Sequence, residues 1–493
     1  YSFSFCKNFF LTSLKKNIKE ILINSPFETT LRSYLKSGNY ETISKKKLKK
    51  LELIKRENNT PENIKGDINY SKKLKFKNTN LNKVKFNENK TWTRSHGGNN
   101  NQKFYDSSEI NTKNINRLEL LWSYKEKADA FNSVQLNPVY KNNTLYFASG
   151  NGKITAINTI NGKKKWSLQS VKNISSRGMV IDEDDEKEIH LYLPLDEKIF
   201  KINTKNGKLD KKFGINGGIL LNSRTAPIII NDKICAAQLA PAYIKCYEKY
   251  TGNFLFEINV HPKNKDFSLG GTIWGGIAFD KEREIIYVTT GNPRPALIGI
   301  SRKGSNKNSN SIVAISLKTK KILWSHQDVI HDLWDYDFSA PPILIDLKFD
   351  EFIYPAVVVI SKVGNVYVFN RETGSSYFNI GYKSTLESKI PGEINSLYQP
   401  KIVLPKPLQN LNLNITQLNN KSLDDFKEKI ELGFFHFGEF HPPKIGEVVV
   451  SNGLHGGVTW PGFSINPLKN IIYAPVNHIP YKYKLELKTY SKI

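Results

Sequence analysis

The chain has 493 residues and a formal net charge of +26 at pH 7, and hydrophobic residues make up 39% of it. This length suits one large domain or about three ordinary ones, and the lack of a run of about 18 apolar residues predicts no transmembrane span. A basic excess is typical of proteins that bind nucleic acids or membrane surfaces. Here the lysines are scattered along the chain instead of clustered in one motif, so we expect no nucleic-acid partner.

The N-terminal part, residues 1–88, is rich in Lys and Asn and lacks a regular hydrophobic pattern. We interpret it as a basic arm that is partly helical or disordered. Its segment Lys45–Lys50 reads KKKLKK and predicts a short basic helix, either solvated or in peripheral contact with a membrane surface. The first stretch, Tyr1–Leu22, is interrupted by lysines, so no intact signal peptide is visible.

The three cysteines, Cys6, Cys235 and Cys246, do not indicate a disulfide framework. Cys235 and Cys246 lie on neighbouring predicted strands, and we interpret them as free thiols in the core. The motif CxxCH does not occur, so no attached c-type haem is predicted.

From Trp92 onwards a unit repeats: a strand, a polar turn, a second strand, a turn that contains glycine, and then an aromatic residue. The turn glycines Gly162, Gly207 and Gly252 are spaced 45 residues apart, and Gly374 follows later. Four-stranded units of roughly 40–50 residues are typical of a β-propeller. One twisted sheet buries its faces only against neighbouring sheets, and glycine permits the φ > 0 turn between the last two strands. The predicted fold class is therefore an all-β propeller.

A second repeat relates residues 270–292 to residues 456–477. Each copy has a tryptophan on one predicted strand and an asparagine at the end of the next, and the Trp-to-Tyr spacing is 13 residues in both. The four residues are Trp274, Asn292, Trp460 and Asn477. Packing between blades accounts for part of this pattern.

The segment His331–Asp337 reads HDLWDYD, and Lys362–Asn365 reads KVGN. With the tryptophan repeat, these motifs resemble the quinoprotein glucose and alcohol dehydrogenases, and the resemblance runs from about Trp92 to the C-terminus. It implies an eight-bladed β-propeller over residues 89–493 whose central funnel holds pyrroloquinoline quinone (PQQ) and Ca²⁺ or another divalent cation. Relatives continue for one or two further blades, so we expect a C-terminally shortened chain and an incomplete ring.

The resemblance implies roles for four residues. Trp274 is expected to form the floor beneath the quinone, where an aromatic face suits a flat conjugated ring. Asn292 and Asp335 are expected to bind the cation, because Ca²⁺ takes amide and carboxylate oxygens. Asp335 is also the expected base, accepting the substrate hydroxyl proton while hydride passes to the quinone carbonyl, which the cation polarises. Lys362 is expected to contact the quinone oxygen and stabilise the reduced, anionic form.

Three further residues are expected to contact the cofactor. Arg177 is expected to pair with a PQQ carboxylate, Thr225 to offer a hydroxyl contact, and Asn477 is a weaker candidate. Asp337 follows Asp335 by two residues and, on a strand, would face the same side. The resemblance assigns it no cation.

One loop departs from the family pattern. The family's cation site includes a carboxylate on the loop before the strand of Tyr247, whereas residues 236–242 contain no acid. The loss of a carboxylate weakens a calcium site. Gln238 or water is the expected substitute.

The resemblance therefore predicts a periplasmic PQQ-dependent dehydrogenase that oxidises a sugar, polyol or primary alcohol and passes electrons to ubiquinone or cytochrome c. The alternative is a redox-inactive propeller that serves as a binding or assembly module, or a fragment of the enzyme. The joint occurrence of floor, base and cation residues favours the enzyme. The missing loop acid and C-terminal blades favour the alternative.

Overall fold

The computed structural model describes residues 2–4, 91–107, 109–126, 135–149, 152–169, 177–195, 197–261, 269–349, 352–402, 405–409, 435–436, 440–446, 448–451, 457–477 and 481–485. Within these ranges nearly all regular structure is β-strand, and a 3-10 turn at Ile115–Arg117 is the one helix. The all-β prediction is confirmed. The predicted basic helix at residues 45–50 lies outside the described residues, as does most of the basic arm.

The strands form a series of antiparallel sheets. Strand β1 (Ser2–Ser4) lies near the N-terminus. The first four-stranded sheet contains β2 (Val139–Lys141), β3 (Thr144–Ala148), β4 (Lys153–Asn158) and β5 (Lys164–Gln169). The second contains β6 (Val180–Glu183), β7 (Ile189–Leu195), β8 (Lys198–Asn203) and β9 (Gly218–Leu220). The third contains β10 (Ile228–Ile230), β11 (Lys233–Gln238), β12 (Tyr243–Glu248) and β13 (Phe254–Asn259).

Strand β14 (Leu269–Gly270) precedes the fourth four-stranded sheet and pairs with β17 (Pro293–Arg294). That fourth sheet contains β15 (Gly276–Asp280), β16 (Ile285–Thr289), β18 (Ser311–Ser316) and β19 (Lys321–Gln327). The fifth sheet contains β20 (Ile343–Phe349), β21 (Phe352–Ile360) and β22 (Val366–Asn370).

The remaining sheets are smaller. One pairs β23 (Ile380–Ser384) with β24 (Tyr398–Ile402). A second contains β25 (Phe435–His436), β26 (Val448–Ser451) and β29 (Tyr481–Lys484), in which β25 and β26 are parallel. A third pairs β27 (Ser464–Asn466) with β28 (Ile471–Tyr473), and β1 adds to the edge of β28.

Consecutive sheets pack side by side. Their first strands contact each other in chain order, β2 with β6, β6 with β10, β10 with β15 and β15 with β20. The hydrophobic core lies in layers between neighbouring sheets. One cluster joins Ile244 of β12 to Val288 of β16, and another joins Ala156 of β4 to Leu191 of β7. This is the predicted propeller arrangement, while the number of blades stays a prediction.

The repeated turn glycine and aromatic residue connect neighbouring sheets. Trp166 of β5 donates its indole N–H to the carbonyl of Thr204 at 2.7 Å, and its ring covers Gly207 in the next sheet. Gly207 has φ +72°, and a Cβ there would lie 2.6 Å from the indole ring. Two other pairs repeat the arrangement: Trp122 with Gly162, and Trp324 with Gly374.

One segment, Trp92–Lys103, hydrogen-bonds to the first strand of six sheets, and we call it the hub segment. Its partners on those strands are, in chain order, Tyr140, Ile181, Ile229, Phe279, Leu344 and Ile465. Within it, Arg94 is buried and donates to the carbonyls of Pro227, Ala226 and Ile277. Buried polar groups need partners. The hub segment therefore satisfies peptide groups at the centre of the sheets that strand pairing leaves open.

Cys235 and Cys246 form a disulfide, so their interpretation as free thiols is wrong. They are direct cross-strand partners on β11 and β12, with Cα atoms 4.1 Å apart. Side chains of such a pair lie on the same face of a sheet, here in the core shared by the third and fourth sheets. Their placement on neighbouring strands was predicted correctly. The strand register decides that they face each other.

Replacing both cysteines with alanine (C235A/C246A) should lower the free energy of unfolding by about 3 kcal/mol, because the disulfide closes a loop with a sequence separation of 11 residues. Urea unfolding of the oxidised protein measures the difference. The chemically reduced wild type is the control and should unfold like the double variant. Three reactive thiols in the unfolded, unreduced chain would contradict the disulfide.

Candidate functional site

Lys362 lies in the turn that follows β21, and only 5% of its surface is exposed. Its Nζ donates to Asp337 Oδ2 at 2.6 Å, to Asp335 Oδ2 at 3.1 Å and to the carbonyl of Asp335 at 2.9 Å. Burial by itself would lower the pKa of Lys362, but the two carboxylates outweigh it and raise the pKa. Lys362 is therefore a fixed positive charge at the centre of the site.

The Asp337 carboxylate connects three parts of the site. Its Oδ1 accepts the backbone N–H of Asn292 at 2.5 Å and the indole N–H of Trp274 at 3.4 Å, and its Oδ2 accepts the Lys362 bond. A buried charge needs such compensation. From the sequence, Asp337 had no assigned role, because its partners come from different sheets and spacing does not show which of them it reaches.

Asp335 lies in an irregular stretch and has φ +63°, so its expected placement on a strand is wrong. Both carboxylates nevertheless meet at Lys362. Asp335 Oδ1 also accepts a hydrogen bond from Asn292 Nδ2 at 2.5 Å. Burial and then the neighbouring Asp337 raise the pKa of Asp335 to about 6, against the opposing effect of Lys362. A carboxyl group with a pKa near neutrality is suited to proton transfer.

Trp274 precedes β15, and Trp460 precedes β27, so both lie in turns and not on the predicted strands. Above the Trp274 ring centroid lie the guanidinium carbon of Arg177 at 4.6 Å and Lys362 Nζ at 5.8 Å. Cations are attracted to the face of an indole ring. The ring therefore forms a platform with positive groups at its face, which suits a flat anionic ligand.

Arg177 lies in the turn before β6. Its side chain donates to Gln135 Oε1 at 2.9 Å and to the carbonyl of Trp274 at 3.3 Å, and its backbone N–H donates to the carbonyl of Arg224 at 2.7 Å. Burial and then Arg224 lower the pKa of Arg177 to about 10, so the guanidinium stays charged at neutral pH. Next to Arg224, the buried hydroxyl of Thr225 has no hydrogen-bond partner within the described residues. Such a hydroxyl is costly unless a ligand satisfies it.

Asn477 lies behind this site. Its backbone pairs in both directions with Gly457, at 2.8 and 3.1 Å. A Cβ on Gly457 would clash with the carbonyl of Lys362, so this pair packs directly against the lysine turn. The ring centroid of Trp460 lies 5.4 Å from the guanidinium carbon of Arg177. Neither Gly457 nor Trp460 was assigned to the site from the sequence, although the Trp460 repeat was the available signal.

Two oxygen donors for a cation lie together. The amide of Asn292 contacts the carboxylate of Asp335, and turning that amide presents its oxygen instead of its nitrogen. Calcium takes about six to eight oxygens, so a bound cofactor and water would supply the others. Gln238, the last residue of β11, donates to the carbonyl of Ala240. Among the described residues, no three His, Cys, Asp or Glu side chains come together as a metal site.

A sequence model of the PQQ-type glucose/ethanol/alcohol dehydrogenase β-propeller domain matches residues 92–492. The chain belongs to this family. The quinoprotein glucose dehydrogenase of Escherichia coli (strain K12) is 24% identical over 443 residues, which cover 78% of this chain and 55% of that protein. The glycerol dehydrogenase large subunit of Gluconobacter thailandicus is 27% identical over 322 residues, which cover 58% of this chain and 44% of that protein. This PQQ-family chain spans about half the length of the curated relatives it matches.

Solved structures of similar proteins share the fold. A europium-containing methanol dehydrogenase has a TM-score of 0.59 at 20% identity, covering 81% of this chain and 71% of the other. A quinohemoprotein alcohol dehydrogenase from Comamonas testosteroni has a TM-score of 0.57 at 19% identity, covering 80% of this chain and 59% of the other. In the part of this PQQ-family chain that the structure describes, no helix is long and apolar enough to cross a membrane.

The two aspartates of the site should differ in their effect on the stability of the cofactor-free, cation-free protein. The pKa of Asp335 is raised from 3.8 to about 6, so its contribution to stability is full below about pH 4 and is lost as the pH rises through 6. Asp335→Asn avoids this loss. It should raise the free energy of unfolding by up to about 3 kcal/mol at pH 7.5, and should change it little at pH 4. Asp337→Asn removes the carboxylate closest to buried Lys362, so it should lower the free energy of unfolding by about 3 kcal/mol.

Urea unfolding of the two variants and the wild type at both pH values measures these differences. Asp232→Asn, at an exposed aspartate on another sheet, is the control. Equal destabilisation by Asp335→Asn and Asp337→Asn at pH 7.5 would contradict the assignment of different electrostatic environments.

Proposed function

We propose that this chain is the catalytic propeller of a PQQ-dependent dehydrogenase that oxidises a sugar, polyol or primary alcohol, with the propeller domain spanning residues 89–493. The observation that carries the proposal is the cluster of Asp335, Lys362 and Asp337 at the face of Trp274. It combines an aromatic platform, a fixed positive charge and a carboxyl group whose pKa is about 6.

The residues around the platform fit PQQ, which is flat and carries carboxylates. In our proposal the ring system stacks on Trp274, where the cationic groups above the indole favour an anion. Arg177 would pair with a carboxylate, and the hydroxyl of Thr225, which has no partner among the described residues, would make a hydrogen bond to the cofactor. Asn477, which packs behind Lys362 through Gly457, supports this arrangement and is a weaker candidate for direct contact.

The chain's own residues then divide the chemistry. PQQ, when bound, supplies the acceptor for the two electrons of the alcohol oxidation. Asp335 accepts the proton of the substrate hydroxyl. Lys362, held charged by Asp337, would offer a positive charge to the bound quinone. Asn292 and Asp335 would hold Ca²⁺ or another divalent cation next to the same group.

The disulfide supports the proposed location. Cys235 and Cys246 are bonded inside the core, and disulfides persist in oxidising compartments such as the periplasm. We therefore propose a periplasmic protein that passes electrons to ubiquinone or a cytochrome c. Contact of the basic arm, residues 1–88, with an anionic membrane surface is part of the same proposal.

A second candidate is a redox-inactive propeller that serves as a binding or assembly module. The observation that favours it is the segment at residues 236–242, which runs from the end of β11 into the following turn and carries no acid for a cation. Its Gln238 bonds to the carbonyl of Ala240 in that turn. PQQ binding without turnover would distinguish this candidate from the enzyme.

The enzyme proposal predicts that the chain, reconstituted with PQQ and Ca²⁺, reduces an artificial electron-accepting dye in the presence of glucose, glycerol or ethanol. Asp335→Asn should lower kcat by about 10³-fold, because it removes the base, while PQQ still binds with a dissociation constant within about threefold of that of the wild type. Tryptophan fluorescence quenching measures PQQ binding, and the dye assay measures turnover.

The control is Asp232→Asn, which should turn over like the wild type. A wild-type chain that fails to bind PQQ would refute the cofactor assignment. Binding without turnover of any of the three substrates would favour the second candidate, and an active Asp335→Asn variant would refute the role of Asp335 as base.

A further inference from the structure

Asp335 is held in a backbone conformation that is unfavourable for a residue with a side chain. Its φ is +63°, and His331 at the start of the same stretch has φ +50°. Each left-handed residue other than glycine costs about 1 kcal/mol or more and persists only when its surroundings impose it. The stretch from His331 to Asp337 is also irregular, so no strand pairing fixes it. Another interaction must hold Asp335 in place.

The carboxylate of Asp332 supplies that interaction. Its Oδ1 accepts the backbone N–H of Trp334 at 2.8 Å, and its Oδ2 accepts the backbone N–H of Tyr336 at 2.9 Å. These two amides flank Asp335 on either side. One carboxylate therefore ties down both neighbours of Asp335, and only 1% of Asp332 is exposed.

Asp332 is itself anchored from a different part of the chain. Asn310 Nδ2 donates to its Oδ2 at 2.9 Å, and Arg302 Nη2 donates to its carbonyl at 2.7 Å. Arg302 is 1% exposed and also donates to Asn306 Oδ1 and to the carbonyl of Pro295. Burial of a carboxylate is costly unless hydrogen bonds compensate it, and here they place the carboxylate at one position.

We propose that Asp332 is a positioning residue for Asp335. It holds the backbone N–H groups of the residues before and after Asp335, so that the Asp335 carboxylate stays in contact with Asn292 and Lys362. The inference rests on the proposed dehydrogenase function, in which Asp335 is the base. Among the described residues, Asp332 has no hydrogen bond to Asn292 or Lys362, and its hydrogen bonds reach Asp335 through the backbone of their shared loop.

Asp332→Asn tests the proposal with a small change. It replaces one acceptor oxygen by an NH₂ group, so at least one of the three N–H donors to this carboxylate loses its acceptor. We expect kcat to fall about tenfold or more, because a displaced base impairs the chemical step. The KM for the alcohol and the dissociation constant of PQQ should stay within about threefold, because the binding groups are unchanged.

A second measurement does not depend on turnover. In the cofactor-free protein, hydrogen–deuterium exchange of the peptide that covers residues 331–337 should be about tenfold faster or more in Asp332→Asn than in the wild type. The matched control is Asp328→Asn, another fully buried aspartate, which bonds to Asn365 and Tyr367. It should leave the exchange of this peptide and kcat near the wild-type values.

The outcomes separate the two proposals. If the wild type turns over and Asp332→Asn has the wild-type kcat, the positioning role is refuted and the proposed function stands. If the wild type binds PQQ and does not turn over, the proposed function is refuted, and the exchange measurement still reports whether Asp332 holds the loop. If Asp332→Asn does not fold, Asn310→Ala replaces it: removal of one anchor of Asp332 should lower kcat about threefold with an unchanged KM, and an unchanged kcat would refute the positioning role.

Discussion

The structure depends on the burial of backbone polar groups at the centre of its sheets. The hub segment, Trp92–Lys103, meets the first strand of six sheets and gives their peptide groups hydrogen-bond partners. Arg94 and Asn101 both donate to the carbonyl of Ile277, three residues beyond Trp274. Because buried amides and carbonyls must be paired, this segment also fixes the strand that follows the platform residue. The site is therefore built on the same centre that holds the sheets together.

The site is organised by opposite charges in a buried space. Lys362 would be strongly disfavoured as a buried cation, and Asp337 as a buried anion. Their bond at 2.6 Å makes both tolerable. Asp337 also reaches Trp274 and the backbone of Asn292, so it aligns the platform with the residues around it. Asp335 is the exception, because its carboxylate is buried next to a like charge and its pKa rises to about 6. The charged Asp335 carboxylate therefore lowers the stability of the fold at the position where proton transfer is proposed to occur.

The proposed cation site is the least complete part of this arrangement. Asn292 and Asp335 are in contact, but the segment at residues 236–242, at the end of β11 and in the turn after it, contributes no carboxylate. The Asp337 carboxylate is already compensated by Lys362, Trp274 and the backbone of Asn292. In the proposed enzyme, a cation at this position would take most of its ligands from the cofactor and water. The proposed enzyme would need the cofactor and the cation together. This need distinguishes it from a propeller that has lost its redox chemistry.

Local patterns in the sequence determined the all-β class, the repeating sheets and the turn glycines, because strand periodicity and φ > 0 turns are local properties. The candidate site residues came from the resemblance of their motifs to a family, and their roles stay a prediction. The tertiary structure decided what depends on contacts between distant residues. The register of β11 and β12 joins Cys235 to Cys246. The packing of separate sheets brings Asp337 to Trp274 and Lys362. The Asp332 carboxylate turns the predicted strand around Asp335 into a capped, left-handed loop. These contacts follow from register and packing, which the order of residues along the chain does not specify.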